Sequence, residues 1–205
     1  IKALNMVSDP ERVEMNLLTV PGITNASVTD QMLAVAEARG DTLAIVDLPS
    51  VYTPRHEGTS YGLGGGSSDG KGASNLDNVV SALQARAINS SYGCTYYPWV
   101  RIRDTINNAT LWAPPSIAAL GVFSSTDKKA EPWFAPAGFT RGGLSEGAAG
   151  IPVIQVSEQL TSKQRDKLYE ANINPIAQFP AEGIVVFGQK TLQVTRSALD
   201  RINVR

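Results

Sequence analysis

Apolar and polar positions alternate between two periods along this chain. Residues 13–22, VEMNLLTVPG, form an apolar run closed by Pro21-Gly22 and read as a buried strand. Residues 29–40, TDQMLAVAEARG, carry a helical period, with Thr29 or Asp30 near the start and Gly40 at the end. TLAIVDLPS, at 42–50, is a short continuous apolar run of the kind buried in a parallel sheet covered on both faces. Strand, helix, strand is the opening unit.

Further along, Leu76, Val79, Val80, Leu83 and Ala87 share one helical stripe, which Ser74 or Asn75 can cap. The segment CTYYPWVRIR, 94–103, is strand-like, with Val100 and Ile102 alternating against Arg101 and Arg103; Pro98 confines it to an edge or splits it. PPSIAALGVFSSTD, 114–127, starts with proline at a helix N-terminus and is apolar all round, so it predicts a helix buried on more than one side. A strand over IPVIQVS, a capped helix over TSKQRDKLYEANI stopped by Asn174-Pro175, and a strand over GIVVFGQKT complete the pattern. The alternation predicts an α/β layered domain with a mixed or largely parallel β-sheet flanked by helices.

Two stretches fit neither period. Residues 58–74 are Gly/Ser-rich and read as a loop. Residues 130–150, containing EPWFAPAGFTRGGLSEGAAG, read as an extended loop packed across the domain, with Trp133 and Phe134 as its buried anchors. At 205 residues the chain suits one domain, taken here as 1–205. Its start at Ile1 and its abrupt end at DRINVR suggest a piece of a longer polypeptide.

Eighteen basic against 19 acidic side chains leave a net charge of −1, which gives no electrostatic footprint for nucleic acid or an anionic membrane. No apolar run is long enough to insert into a bilayer. The charge is unevenly placed: residues 1–60 hold four basic and eight acidic side chains, residues 161–205 seven basic and four acidic. Chance clustering on a solvated surface and head-to-tail complementarity between copies both fit that asymmetry. The single cysteine, Cys94, excludes an internal disulfide, and no paired-Cys spacing points to zinc. Without a secretory signal, the sequons at Asn25, Asn89 and Asn108 carry little.

Candidate chemistry falls away on inspection. Gly65 and Gly70-Lys71 have phosphate-loop spacing, but Gly72 stands where Ser or Thr would hold magnesium, and no strand feeds the loop. Gly66-Ser67-Ser68-Asp69-Gly70 fits a nucleophile elbow, yet the only histidine, His56, precedes Ser68 and cannot supply the later base. His56 itself has no companion at metal-binding spacing. The carboxylate pairs Glu11/Glu14 and Asp166/Glu170 lie beside Arg or Lys and read as solvated ion pairs. The aromatics Tyr96, Tyr97, Trp99, Trp112 and Trp133 lack a basic patch and read as packing residues. What remains is a structural assembly subunit or an enzyme whose site lies elsewhere.

Five segments decide between these in the order they occur: a Pro-led apolar helix from Pro115 to Asp127, Trp133 to Gly138, Tyr169 to Asn174, Gly188 to Thr191, and Ile202 to Arg205. Together they resemble the tail sheath proteins of contractile bacteriophages. Ser125 stands where that family often has Arg, and the second Arg that commonly follows Val-Arg is absent because the sequence stops at Arg205.

The resemblance implies a structural subunit in the virion tail, assembled in the host bacterial cytoplasm. It would polymerise with copies of itself as stacked rings around a tail tube protein, with baseplate and tail terminator proteins as further partners. Contraction would drive the tube through the host envelope, with no catalyst, cofactor or metal. A sheath of a type VI secretion or phage-derived bacteriocin machine is the nearest alternative; an α/β hydrolase or nucleotide-binding enzyme is the alternative of another class. Lys163, Arg165, Lys167, Arg201 and Arg205 are the candidate contact residues toward the tube or the next subunit.

Overall fold

A computed structural model describes residues 1–49, 76–145 and 151–202. The Gly/Ser-rich loop 58–74 with Ser68, the preceding His56 and the expected helix cap at Ser74 or Asn75 lie outside the described residues.

After a short helix α1 (Lys2–Met6), the opening unit forms as the pattern predicts: β1 (Leu17–Thr19), α2 (Ala26–Arg39) and β2 (Leu43–Asp47). The α2 helix starts earlier than its period suggests. Asn25 caps it by accepting from the Ser27 N–H, while Thr29 is buried within the first turns and bonds back to the Asn25 and Ala26 carbonyls. Gly40 ends it at φ 73°, in the left-handed region. Every residue of β2 is buried, as expected of a parallel strand covered on both faces.

Then follow α3 (Leu76–Ala85), β3 (Gly93–Tyr97), β4 (Val100–Asp104), β5 (Ala109–Ala113), α4 (Pro115–Lys129), β6 (Val153–Val156), α5 (Ser162–Glu170), β7 (Asn174–Phe179) and β8 (Gly183–Val186). The α3 stripe buries Leu76, Val79, Val80 and Leu83, but Ala87 falls beyond the helix in a turn at φ 49°. Pro98 splits 94–103 into two strands of different sheets, and β3 is central rather than an edge. The Thr161/Gln164 capping box starts α5. Asn172, at φ 61°, follows its end, so Asn174-Pro175 does not stop a helix but begins a strand.

Five strands form the main sheet in the order β1-β2-β3-β7-β8, all parallel except the β7–β8 hairpin. A second, antiparallel sheet runs β5-β4-β6. The expected layered, mixed and largely parallel α/β architecture is therefore what the chain adopts.

Side-chain alternation along β2 divides the interior in two. Ala44 and Val46 join α2, α3 and Leu168 of α5 on one face; Leu43 and Ile45 join Val122 of α4 and Val153 and Val156 of β6 on the other. With neighbours on both sides, α4 leaves no residue from Pro115 to Phe123 fully exposed. Each large aliphatic side chain so enclosed contributes about 1.5–3 kcal/mol of transfer free energy.

Asp47 fixes where α4 begins. Its carboxylate, at the end of β2, accepts from the Ser116 N–H (3.1 Å), the Ser116 hydroxyl (2.7 Å) and the Gly22 N–H (2.9 Å). A helix N-terminus is where an acceptor is best placed. Burial pushes this carboxyl above its ordinary range while those donors pull it back.

Candidate functional site

Three of the basic residues singled out in the sequence lie on α5. Lys163 and Lys167, one turn apart, are exposed. The Lys167 ammonium meets Asp77 of α3 at 2.7 Å; among the described residues Lys163 has no ion-pair partner. Arg165 turns the other way, donating to the Leu160 carbonyl and lying over the Phe179 ring at 5.1 Å. Arg201 is brought to the end of the same helix, where it donates to the Tyr169 hydroxyl and pairs with Asp200 at 3.3 Å. Lys190 joins them, 4.2 Å from the Tyr169 ring centre and donating to its carbonyl. Burial and the neighbouring Arg201 hold the Lys190 ammonium below its ordinary pKa. Arg205 lies outside the described residues.

The acidic half is less available as a face than its composition suggests. Asp47 is buried, Asp41 accepts from the enclosed Arg39 side chain, and Asp30 pairs with Arg86. Arg39 also donates to the Val7 and Val13 carbonyls, tying the N-terminal segment to the end of α2. Its bonds and that of Thr42 hold the Asp41 carboxyl below the usual range.

Loop 130–145 is structural, but its anchors are not those expected. Trp133 is 64% exposed and Phe134 43%, with Arg141 stacked over the Phe134 ring at 4.8 Å. The buried anchor is Leu144, and backbone bonds hold the loop. Gly138 N–H donates to Val186 O, Val186 N–H to Gly142 O, and Leu144 N–H to Ile184 O, each at 2.8 Å. The loop thus occupies the outer edge of β8, which would otherwise offer unpaired groups to another chain. Leu144 O accepts from Val153 N–H at 3.2 Å, linking the two sheets. Phe139 packs on Phe179 and Phe187 at 5.0 and 5.5 Å, leaving a half-exposed aromatic patch beside Arg165.

Sequence reasoning passed over two surface features. One is the β4–β5 hairpin. Asp104 shapes its turn by accepting from the Ile106 and Asn107 N–H groups, and Ile106 stands at the tip, 91% exposed. The alternation of RIRD against ATLW around Asn107-Asn108 carried that signal. The other is an open cavity of about 650 Å3 at the C-terminal end of α4, where Leu17, Leu43, Phe123 and Thr126 meet Phe134 and Pro136 of the loop. Asp41, Asp127 and Glu131 also line it.

Among the described residues no three His, Cys, Asp or Glu side chains are grouped to hold a metal ion, and no helix is long and apolar enough to cross a membrane. Cys94 is fully enclosed, and burial raises its thiol pKa to about 12.

No family model matches the chain. Individual proteins do. It is 31% identical over 214 aligned positions to the tail sheath protein of Vibrio phage KVP40, covering 98% of this chain and 30% of that protein. To the tail sheath protein of Enterobacteria phage T4 it is 26% identical over 214 positions, covering 100% of this chain and 30% of that one.

Among solved structures, it matches the sheath complex of an extracellular contractile injection system, PVC, in the contracted state (TM-score 0.68, 20% identity, 98% of this chain and 47% of that one). It also matches the helical sheath of the anti-feeding prophage in the contracted state (TM-score 0.62, 25% identity, 98% and 46%). The resemblance carried by the second half of the sequence therefore extends over the whole chain. The chain spans about a third of the length of its curated relatives.

Proposed function

We propose, taking as premise the chain's relationship to the tail sheath proteins of contractile phages, that it is the core portion of a structural sheath subunit. In this reading the subunit polymerises helically around a tail tube in the virion and contracts to drive the tube through the host envelope. The observation that carries it is alignment of essentially the full chain with sheath proteins of two phages, at 31% and 26% identity.

Residues 1–205 belong to one core domain of the subunit, and the output is mechanical rather than catalytic. Contraction is a change in how such units pack against each other, driven by differences in interface energy summed over many copies. Other copies and the tube are the principal partners, baseplate and terminator proteins the terminal ones. Assembly takes place in the host cytoplasm. Of the described basic candidates, Lys163 and Lys167 are the ones exposed enough to reach a neighbour, Lys167 from a solvent-exposed pair with Asp77, because Arg165 and Arg201 are engaged within the fold.

A second reading, the sheath of a phage-derived injection particle, is favoured by the 25% identity to the anti-feeding prophage sheath. Both readings predict the same polymer. Negative-stain microscopy of the full-length protein tests them against the enzymatic alternative: long tubes are expected, and discrete particles at high concentration would remove the sheath reading.

A further inference from the structure

We infer that the tip of the β4–β5 hairpin of one copy enters the open cavity at the C-terminal end of α4 in the next copy. The inference rests on the sheath reading and says which two surfaces of this chain meet.

One polar group of a cavity-lining residue is unsatisfied. The Thr126 side-chain oxygen is buried, the residue being only 6% exposed, and has no hydrogen-bond partner among the described residues. A buried polar atom of that kind calls for one. Around it the lining is apolar, from Leu17, Leu43 and Phe123, and its charged members are all acidic: Asp127, Glu131 and Asp41, the last already paired with Arg39. Lys128 and Lys129, on the same turn of α4, do not line it.

The hairpin supplies the complement. Ile106 is an apolar knob on a turn already fixed by Asp104, and Arg101 and Arg103 stand on the strand behind it. Both arginines bond only to neutral partners, Thr110 and Asn108, so their charge is uncompensated among the described residues. The Asp104 carboxylate is occupied by the Ile106 and Asn107 N–H groups and the Asn107 amide. A basic, apolar-tipped finger thus faces an acid-rimmed, apolar socket.

The two do not meet within one copy: Ile106 is exposed to solvent, and no residue of the β4–β5 hairpin lines the cavity. Contact between two different faces of one molecule is heterologous, building a ring where its rotation closes and a helical filament where it does not.

The test uses the full-length protein. Ile106→Cys with Glu131→Cys should, on mild oxidation of assembled tubes, give a ladder of covalently linked copies, which neither single variant gives. Independently, Arg103→Glu and Glu131→Arg should each raise the critical concentration for assembly roughly tenfold or more, and the double variant should regain most of that loss. Tubes of parental length without the ladder, as when another segment of the same chain fills the cavity, overturn the inference and leave the sheath reading standing. So does a double charge variant no better than the singles, or singles that assemble like the parent. If the unmodified protein forms no tubes, the sheath reading fails and takes this contact with it.

Discussion

Asp47 and Ser116, 69 residues apart in sequence, meet inside the protein, the carboxylate receiving both the backbone N–H and the hydroxyl of Ser116. This single pairing joins the end of β2 to the start of α4 and so registers the main sheet against the layer containing the hairpin and β6. Asp47→Ala leaves the buried Ser116 N–H and hydroxyl, and the Gly22 N–H, without their acceptor. Stability should fall by about 3 kcal/mol, since unsatisfied buried groups cost about 1–3 kcal/mol and charged partners more. Asp47→Asn keeps one acceptor and should lose less. Chemical denaturation of the three proteins checks the order; equal midpoints would show that α4 is registered by packing alone.

Gly142 stands where the edge-covering loop comes closest to β8. A Cβ there would lie 2.6 Å from Val186 O and 2.8 Å from Gly138 O, both backbone atoms that cannot swing away. Gly142→Ala should therefore detach the loop, costing about 1–3 kcal/mol as overpacking does. Hydrogen exchange at the Val186 and Leu144 amides should speed up while the Ile45 amide stays protected. The uncovered β8 edge should also make the variant aggregate more readily.

Much of this architecture was legible in the sequence, for a common reason. The run at 43–47 and the helix from Pro115 are apolar on all sides, and only a layered interior can enclose such elements. What could not be read depended on partners distant in sequence. Asn174-Pro175 looks like a breaker; it starts β7 because the Asn174 side chain donates to Thr95 O and Lys190 O and accepts from Lys190 N–H. Trp133 and Phe134 have the composition of anchors, yet burial is decided by what lies above them. The short turn at Asn107-Asn108 is readable from the strand-like alternation on either side of it. The cavity beneath α4 has no sequence signal, because its walls come from β1, β2, α4 and loop 130–145.

Acid should loosen the N-terminal segment first. Asp41 holds its carboxyl below the ordinary range through Arg39 and Thr42, so its contribution is complete above the unfolded carboxylate value near about 3.9. The contribution is lost as pH falls through the lowered folded value. Protonation releases the Arg39 guanidinium, which also bonds Val7 O and Val13 O. Asp41→Asn should be less stable at neutral pH and show a flatter decline between pH about 4 and about 2. Identical slopes for parent and variant would assign the acid sensitivity to other carboxylates.

Lys163 and Lys167 give the sharpest separation between folding and assembly. Their surface is the exposed face of α5, and the only ion pair there among the described residues, Lys167 with Asp77, has both side chains largely in water. Such a pair contributes about 0–1 kcal/mol. Reversing both charges, Lys163→Glu with Lys167→Glu, should therefore leave the unfolding midpoint within that margin while impairing polymerisation of the full-length protein. Adding Asp77→Lys restores an intramolecular pair in the opposite sense. If assembly stays impaired in that triple variant, the lost interaction lies between copies or with the tube. Recovery would mean that like charges on α3 and α5 had disturbed the fold, and tubes of parental length from the double variant would remove this face from the contact surface.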